Sequence, residues 1–292
     1  MELACFMGVI EQLYQKLTNE NARSVVYLTD GFSNASYLIN GEKVFRLKKI
    51  SDSPFYSAKN EGAILNLIAP NRIGPKLYYF DYATGNMIDR YIEGDHRFVS
   101  PAIEKEDLKA LASILKRLHA IQGCTSEFYP FQRYQSYQSR SGLSLNPAEE
   151  EKISAKVASF FRSEPLVLSH NDLVHDNILK NDEGQIVIID YETAGLNNEF
   201  FDLASLLSEN KIFALEKITY FVKAYFGSAY DETHLKKTVL WMAYENYLWF
   251  YWANCRYKET HYEGFNAIAK DKQEAIALSS EFYASHPDYW SI

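Results

Sequence analysis

The chain has 292 residues, of which 47% are hydrophobic, 23% charged and 15% aromatic. This is an ordinary globular composition, and the chain is long enough to bury a substantial core. The formal net charge of −8 argues against a nucleic-acid-binding protein, because phosphate binding favours a basic face.

The cysteines and the N-terminal segment indicate a protein of a reducing compartment. Cys5, Cys124 and Cys255 are scattered, odd in number and lack metal-ligand spacing, so free thiols are expected. Residues 1–17 contain an early acid and no basic segment, which is typical of an amphipathic helix rather than a signal peptide. No stretch reaches the roughly 18 apolar residues of a membrane span. These features predict a cytoplasmic protein without a membrane span.

The N-terminal third is predicted to form a sheet with one helix. Residues 24–50 contain two turn signals between β-prone runs, which predict β-hairpins. Apolar residues at helical spacing indicate a helix at 56–69. Two further strands are expected at 75–80 and 86–92, separated by turn residues.

The remainder of the chain is predicted to be mainly helical. Residues 104–121 form a clear amphipathic pattern, and long helical stretches are expected at 205–226 and 235–257. Residues 125–150 are rich in Ser, Tyr and Gln and receive no assignment.

The change of character after Glu93 predicts a two-lobed α+β protein. A small β-rich lobe would comprise residues 1–93, and a larger helical lobe residues 94–292. Ligand sites favour such junctions between lobes, so a cleft is expected near residue 93.

The densest group of polar residues is the segment HNDLVHDNIL, residues 170–179. Asp172 and Asn177 lie five residues apart in it, and a predicted hairpin of NILK and QIVIID would bring Asp190 back beside them. Two carboxylates and an amide oxygen are ligands that suit Mg²⁺, and phosphoryl transfer needs mainly positioning and charge neutralisation. An isolated loop of this composition would equally suit an Asx-rich turn. The acids that follow in order favour the magnesium site.

This order of residues resembles the protein-kinase-like fold, and specifically the choline/ethanolamine kinase and aminoglycoside phosphotransferase group. The catalytic loop of that group reads H-x-D-x4-N, and HNDLVHDNIL followed by IIDYE and NNEFFDLA resembles the choline kinase form in particular. The resemblance covers about residues 24–270 and is most specific at 168–209. It implies a kinase that uses ATP and Mg²⁺, with an N-terminal nucleotide-binding lobe and a C-terminal catalytic and substrate-binding lobe.

The resemblance implies a role for several residues in and near the loop. Asp172 matches the catalytic base, and Asn177 and Asp190 match the magnesium ligands. Structural support is implied for His170, Glu192 and Asp202.

Asp176 is a departure from the family pattern, because many relatives have Gly there. Asp tolerates left-handed backbone geometry better than most residues, so the loop would survive the change. The added carboxylate would lie either near the metal or harmlessly at the surface, and the sequence leaves both open.

The nucleotide-binding residues rest on less specific motifs. The segment LTDGFSNASYLI stands where the family has its phosphate-covering turn, but only Gly31 is present and an ordinary β-turn fits equally. Arg46 stands where protein kinases have a lysine on the third strand, and Arg can clamp phosphate oxygens in bidentate fashion. Lys48 competes for this role, and plain surface charges are the alternative. The remaining candidates are Ser33 and Asn34 for phosphate, Glu61 as the partner of the cation, and Asp89 and Tyr91 in the adenine-binding hinge.

The segment YENYLWFYWANCRY suggests how the phosphate acceptor is bound. Trp249 and Trp252 are three residues apart and share one helix face, with Trp241 and Glu245 on roughly the same stripe. Two indoles near a carboxylate suit a quaternary ammonium, since each cation–π contact contributes about 0.5 to 2 kcal/mol. The alternative is that these tryptophans are ordinary core residues.

The resemblance extends to this substrate pocket, because choline kinases carry the same W-x-x-W. It adds Glu209 as an acid in the pocket and Tyr262 as a further wall. The expected substrate is choline; ethanolamine kinase, thiamine kinase, aminoglycoside phosphotransferase and a non-catalytic choline-binding pseudokinase are the alternatives. The oligomeric state is left open.

Overall fold

The computed structural model describes residues 2–30, 33–49, 53–94, 98, 102–181 and 183–292. The chain divides into two compact units, Met1–Asp95 with Leu179–Thr193, and His96–Ile178 with Ala194–Ile292. The predicted functional lobes, with their boundary at residue 93, stay a prediction. Gly31, in the predicted phosphate-covering turn, lies outside the described residues.

The first unit is built on a five-stranded antiparallel sheet with the strand order β1-β2-β3-β5-β4. Its strands are β1 (Val25–Asp30), β2 (Asn34–Ile39), β3 (Lys43–Lys48), β4 (Leu77–Phe80) and β5 (Met87–Arg90). The helices α1 (Glu2–Thr18) and α2 (Ala58–Ile68) accompany the sheet. The hairpins, the helix and the two later strands predicted for this part of the chain are confirmed.

The core of this unit lies between α1 and the sheet. Ile10 and Tyr14 of α1 pack with Tyr37, Phe45 and Ile88 from three neighbouring strands. Because side chains alternate along a strand, the buried Phe45 and the next residue of β3, Arg46, point to opposite faces. Phe45 therefore anchors β3 in the core on one face, and the Arg46 side chain lies on the other face.

A short hairpin within Leu179–Thr193 completes the first unit. The strands β7 (Ile178–Lys180) and β8 (Ile186–Ile188) pair as a two-stranded sheet, and β7 begins at the last residue before the boundary. Ile188 donates a backbone hydrogen bond to Ile73 at 3.0 Å, which ties β8 to the rest of the unit. The predicted hairpin is confirmed, and Asp190 follows it directly.

The second unit is mainly helical. Its helices are α3 (Lys105–His119), α4 (Pro130–Ser141), α5 (Pro147–Phe161), α6 (Glu199–Glu209), α7 (Leu215–Phe226), α8 (Glu232–Thr260) and α9 (Glu263–Ser285). The strands β6 (Leu166–Ser169) and β9 (Gly195–Asn198) pair antiparallel beside them. The helices predicted at 104–121 and 235–257 are confirmed.

The single helical stretch predicted at 205–226 is wrong, because the chain breaks between α6 and α7. The Asn210 side chain donates to the carbonyls of Leu173 and Leu206 at 2.8 and 2.6 Å, and Lys211 has a left-handed φ of 57°. A tertiary contact with Leu173 therefore ends α6. The unassigned residues 125–150 contain α4, which Gly142 ends at a φ of 70°.

The long helix α8 is buried on most of its surface and packs against α6 and α9. Trp241 is fully buried, with ring contacts to Phe131, Phe161 and Phe201. It is a core residue and not part of an aromatic stripe with Trp249. None of the described helices combines the length and the apolar character that a membrane crossing requires.

Candidate functional site

The loop that carries Asp172 is held by a buried carboxylate of α6. Asp202 accepts hydrogen bonds from the backbone N–H groups of His170 and Asn171, at 2.8 and 2.7 Å. His170 and Asp202 are both fully buried. A carboxylate that accepts two backbone hydrogen bonds compensates for its own burial and restricts the loop to one conformation.

Two further polar groups hold the same loop. The backbone N–H of Leu173 donates to the Ser205 hydroxyl at 3.0 Å. Asn171 adopts a left-handed φ of 66°, and its side-chain oxygen accepts from Asn197 at 2.8 Å. A strained backbone of this kind persists only where the surroundings hold it, and here several buried side chains do so.

Within the loop, the side chain of Asn177 is oriented by Asp172. Its Nδ2 donates to the Asp172 carbonyl at 2.9 Å and to the Asp172 carboxylate at 3.3 Å. The donor side of the amide therefore faces Asp172, and the amide oxygen is the group that a cation would bind. Asn177 is buried, whereas Asp172 is partly exposed and within reach of a ligand.

Asp176 lies at the surface, with 76% of its side chain exposed, and contacts His175 at 3.3 Å. Its backbone is not left-handed, whereas that of Asn171, five residues earlier, is. The special geometry that the sequence suggested for Asp176 is therefore wrong, and the residue belongs to a short 3₁₀ turn.

A polar residue that the sequence analysis missed lies behind Asp202. His119, at the end of α3, contacts the Asp202 carboxylate at 2.9 Å and the Tyr225 hydroxyl at 2.6 Å. The Tyr225 hydroxyl in turn donates to Glu199 at 2.8 Å. This chain of hydrogen bonds fixes the side chain on which the loop depends. The only sequence signal was a histidine at the end of an amphipathic helix.

In the first unit, Arg46 is the centre of a buried ion-pair network. Its guanidinium pairs with Glu61 of α2 and with Asp190, the latter at 3.0 Å. Burial tends to lower the pKa of Arg46, but the two carboxylates outweigh it and the net shift is upward. Tyr56 also donates to Glu61, at 2.9 Å. The network holds the guanidinium in a fixed orientation.

Lys48, the competing cation, has a different partner. Its ammonium group pairs with Glu192 at 2.5 Å and lies 4.0 Å from the centre of the Tyr56 ring. Asn34 donates to the same Glu192 carboxylate at 3.0 Å. Ser33 also hydrogen-bonds to Glu192. Lys48 above all, with Arg46 and Ser33, keeps the pKa of Glu192 below its usual value despite its burial. Glu192 thus joins β2 and β3 to the segment that carries Asp190.

Two acids of this unit have a raised pKa. Burial raises the pKa of Asp190 to about 7, with a further contribution from Glu192. Burial also raises the pKa of Asp89 to about 7. Both residues line one small cavity. The backbone N–H of Tyr91 donates to the Glu42 carbonyl at 2.8 Å, so it is engaged within the sheet.

The residues predicted to hold magnesium have suitable donor chemistry. Asn177 supplies an amide oxygen and Asp190 a carboxylate, which are the hard ligands that Mg²⁺ prefers. In the part of the chain that the structure describes, no group of three or more His, Cys, Asp or Glu is arranged to hold a metal. An ion bound largely by nucleotide phosphates and water needs only one or two protein ligands. Each of these two residues therefore has donor chemistry that suits Mg²⁺, and each belongs to a different compact unit.

The two tryptophans predicted to bind the ammonium group form a corner of perpendicular rings. Trp249 and Trp252 are half-buried, with ring centroids 5.8 Å apart and planes at 88°. Phe265 of α9 lies 5.4 Å from Trp252, again nearly perpendicular to it. Tyr262 contacts Phe265 at 5.9 Å but is 58% exposed. The corner consists of these rings, without Trp241.

Glu245 lies one helical turn before Trp249 and is fully buried. Among the described residues, neither of its carboxylate oxygens has a hydrogen-bond partner. Burial raises the pKa of Glu245 well above its ordinary value, and the nearby Glu209 raises it further. Glu209 itself forms an ion pair with Lys272 of α9, which the sequence analysis missed. A buried carboxylate without a partner is the natural counter-ion of a bound cation.

Comparison with solved structures identifies the fold. A choline/ethanolamine kinase family protein from Mesorhizobium loti superimposes with a TM-score of 0.79 at 19% identity, over 98% of each chain. The choline kinase LicA from Streptococcus pneumoniae gives a TM-score of 0.73 at 20% identity, over 93% of this chain and 99% of that one. The protein therefore has a protein-kinase-like fold, as its sequence predicted.

Sequence comparison identifies the family. The family model for choline/ethanolamine kinases matches residues 25–276, which is most of the chain. The protein belongs to the choline/ethanolamine kinase family, whose members are phosphotransferases with an alcohol group as acceptor.

Two individual relatives align with about two thirds of the chain at 27% identity. An uncharacterised protein of Mycoplasma pneumoniae is 27% identical over 190 residues, 63% of this chain and 64% of that protein. LicA of Haemophilus influenzae is 27% identical over 210 residues, 67% of this chain and 77% of LicA. The alignment thus spans less than two thirds of the Mycoplasma relative's length.

Proposed function

We propose that this protein transfers the γ-phosphoryl group of Mg-ATP to the hydroxyl of choline, giving phosphocholine and ADP. The observation that carries the proposal is the buried, unpartnered Glu245 one helical turn before the perpendicular Trp249–Trp252 pair. Indole faces attract an ammonium group, and a carboxylate beside them balances its charge. Family membership and the similarity to LicA proteins support the same substrate.

In the proposed reaction, Asp172 aligns the substrate hydroxyl and accepts its proton. The substrate oxygen then forms a bond to the γ-phosphorus, and the bond to the bridging oxygen of ADP breaks. Asp202 supports this step indirectly, because it accepts hydrogen bonds from the backbone N–H groups of His170 and Asn171, the two residues that precede Asp172. The Asp172 carboxylate contributes to the raised pKa of Glu245, which supports placing the amine site and the base near each other in the second unit.

The nucleotide is assigned to the first unit. Arg46, fixed by Glu61, would contact phosphate oxygens, and Ser33 and Asn34 would contribute further donors. Asn177 and Asp190 would hold Mg²⁺, which neutralises charge on the phosphates when it is bound. A kinase that uses ATP would find its nucleotide in the cytoplasm, which agrees with the predicted location.

Ethanolamine is the second candidate substrate, and Glu245 favours it specifically. A trimethylammonium group has no N–H donor, whereas a primary ammonium has three that a carboxylate can accept. The unpartnered oxygens of Glu245 would therefore accept hydrogen bonds from ethanolamine and favour that substrate. The two indoles would favour choline through cation–π contacts. The aromatic corner leads us to place choline first.

A substrate panel tests this proposal. Choline, ethanolamine, thiamine and kanamycin would each be incubated with Mg-ATP, with detection of the phosphorylated product. Phosphocholine formation at the highest kcat/KM is the expected result. Activity on kanamycin with none on choline or ethanolamine would overturn the proposal. Nucleotide binding without any product would support the pseudokinase alternative.

The aromatic corner gives a separate prediction. Trp252→Ala should raise the KM for choline about 2- to 30-fold, the equivalent of one lost cation–π contact. Trp290→Ala is the matched control, because Trp290 is also half-buried but stacks on Tyr283 outside the proposed pocket. Steady-state kinetics would show the KM for ATP unchanged in both variants. Equal changes in the KM values for choline and ATP would indicate that Trp252 is a core residue.

A further inference from the structure

The second unit contains a buried lysine that the proposed function does not use. Lys272 of α9 forms an ion pair with Glu209 of α6, and the two side chains are only 8% and 12% exposed. Lysine is almost never buried to this extent unless a carboxylate pairs with it. Lys272 lies seven residues after Phe265 and so shares its helix face. Phe265 in turn contacts Trp252, which places the lysine on the side of α9 that faces Trp252.

The charges in this region do not balance. Glu245 has no partner within the described part of the chain, and Lys272 is paired with Glu209. The Glu209 carboxylate raises the pKa of Glu245 and the Lys272 ammonium lowers it, so all three groups interact. Two carboxylates thus share one ammonium group. Without a ligand Glu245 tends to hold its proton, as its raised pKa indicates, and a bound positive charge would take the place of that proton and complete the set.

We propose that Lys272 is a built-in cation that sets the charge selectivity of the pocket. By neutralising Glu209 it leaves a single carboxylate, Glu245, for the substrate's amine. A monocation such as choline or ethanolamine then completes the balance. A substrate with a second ammonium group finds no second carboxylate and is repelled by Lys272. Exclusion by like charge is a general means of obtaining specificity.

This inference rests on the proposed function, since it assumes that the pocket binds an amino alcohol. It goes further by naming a residue that rejects polyamines. A purely structural role is the competing explanation, in which the Glu209–Lys272 pair only joins α6 to α9. The two explanations differ in ligand preference, because a structural pair would change the unfolding temperature without changing the preference for one charge over two.

Calorimetric titration without nucleotide would measure the dissociation constants of two matched ligands at neutral pH. Ethanolamine carries one charge, and 1,3-diamino-2-propanol carries two. Lys272→Met should improve diamine binding relative to ethanolamine by about tenfold or more, since close charge pairs contribute about 1.5 kcal/mol or more. Lys272→Arg keeps the charge and should keep the wild-type ratio. Lys211→Met is the matched control, because Lys211 pairs with Asp271 at the exposed surface.

A rescue experiment remains decisive if Lys272→Met alone does not fold. Glu209→Gln would free Lys272 to pair with Glu245, so the affinity for choline and ethanolamine should fall about tenfold or more. The double variant Glu209→Gln/Lys272→Met again leaves one unpaired carboxylate and should restore it. Failure of this rescue, or an unchanged ligand ratio in folded Lys272→Met, would overturn the role of Lys272. If the wild type binds neither choline nor ethanolamine, the proposed function itself fails.

Discussion

Asp172 stands in a loop whose backbone has little freedom. Asp202 and Ser205 of α6 accept hydrogen bonds from the residues on either side of it, and Asn177 donates to its carbonyl. A general base must be held within hydrogen-bonding reach of the proton that it removes. The buried supports therefore provide positioning, and Asp172 itself remains partly exposed for the substrate.

Replacing Asp172 tests its assigned role most directly. Asp172→Asn should lower kcat by about 10² to 10⁴, because general-base catalysis typically contributes that much. The dissociation constant for Mg-ATP, measured by calorimetry, should remain close to that of the wild type. Asp176→Asn is the matched control in the same segment, since Asp176 is exposed and should change kcat little. An Asp172→Asn variant that keeps more than about a tenth of wild-type kcat would contradict the role of Asp172 as general base.

Glu245 predicts an unusual pH dependence of stability. Its pKa is raised by burial and by the carboxylates of Glu209, Asp202 and Asp172, and the Lys272 ammonium opposes them. A carboxyl with a raised folded-state pKa stabilises the protein at low pH, and that contribution is lost as the pH rises from the unfolded-state pKa towards the folded-state value.

The expected loss is about 1.4 kcal/mol in the free energy of unfolding for each pH unit within that window, relative to Glu245→Gln. Urea unfolding at a series of pH values would measure it. Glu232→Gln, at the exposed start of α8, should leave the wild-type slope unchanged. Choline does not titrate in this range, so its affinity should rise over the same window in the wild type alone. Parallel curves for wild type and Glu245→Gln would show that Glu245 carries no such shift.

At this scale, the sequence predicted the residues that form a local pattern. Asp172 and Asn177 share one loop, so their spacing alone placed them together. Lys272 and His119 left no such signal, because their partners Glu209 and Asp202 lie 63 and 83 residues away. A charged residue on a helix is usually exposed, and only packing shows which one is buried in an ion pair.

At the scale of elements, the turn between β4 and β5 supports the Arg46 network. Gly85 has a φ of 81°, and its carbonyl accepts from Arg46 at 3.4 Å. A Cβ at this position would collide with the Tyr56 hydroxyl, which donates to Glu61. The turn therefore needs glycine for its backbone conformation and for the space that Tyr56 occupies.

Gly85→Ala should lower the free energy of unfolding by about 2 to 3 kcal/mol, since it combines a left-handed backbone with a steric clash. Gly41→Ala is the matched control. Gly41 has a φ of 71° but nothing within 4 Å of its added Cβ, so only the backbone cost of about 1 kcal/mol is expected. Thermal unfolding of both variants would compare them. Equal losses would mean that Tyr56 moves aside without cost.

The elements themselves show where local patterns suffice. The hairpins around Asn40-Gly41 and after residue 181 follow from turn residues with positive φ, which act over a few positions. The end of α6 does not, because Asn210 bonds to Leu173 in a distant loop. The helix α4 within residues 125–150 was also not predicted. Its polar composition shows no clear apolar face, and its buried face is defined by packing against α8.

At the scale of the whole molecule, the predicted nucleotide ligands and the predicted base fall in different compact units. Arg46, Glu61 and Asp190 belong to the first, and Asp172 and Asn177 to the second. A nucleotide that binds only the folded protein stabilises it by mass action. The gain is about 2.7 kcal/mol at a ligand concentration 100 times the dissociation constant.

Mg-ATP should therefore raise the unfolding temperature, and omission of Mg²⁺ should remove part of the gain. In Asp190→Asn the Mg²⁺-dependent part should disappear, because that variant loses a proposed ligand of the ion. Asp271→Asn is the control, since Asp271 is an exposed acid paired with Lys211. Differential scanning fluorimetry would provide the comparison. A full Mg²⁺-dependent shift in Asp190→Asn would contradict the assignment.

The sequence by itself determined the family, the protein-kinase-like fold and the identity of the loop around Asp172. These depend on short patterns and on the order in which they occur, and both can be read directly from the sequence. Only the tertiary structure decided that Trp241 is a core residue, that Arg46 rather than Lys48 pairs with Glu61, and that Glu245 is buried without a partner. Burial and ion pairing are set by residues far apart in the chain, so their energies exist only once the helices and strands have packed.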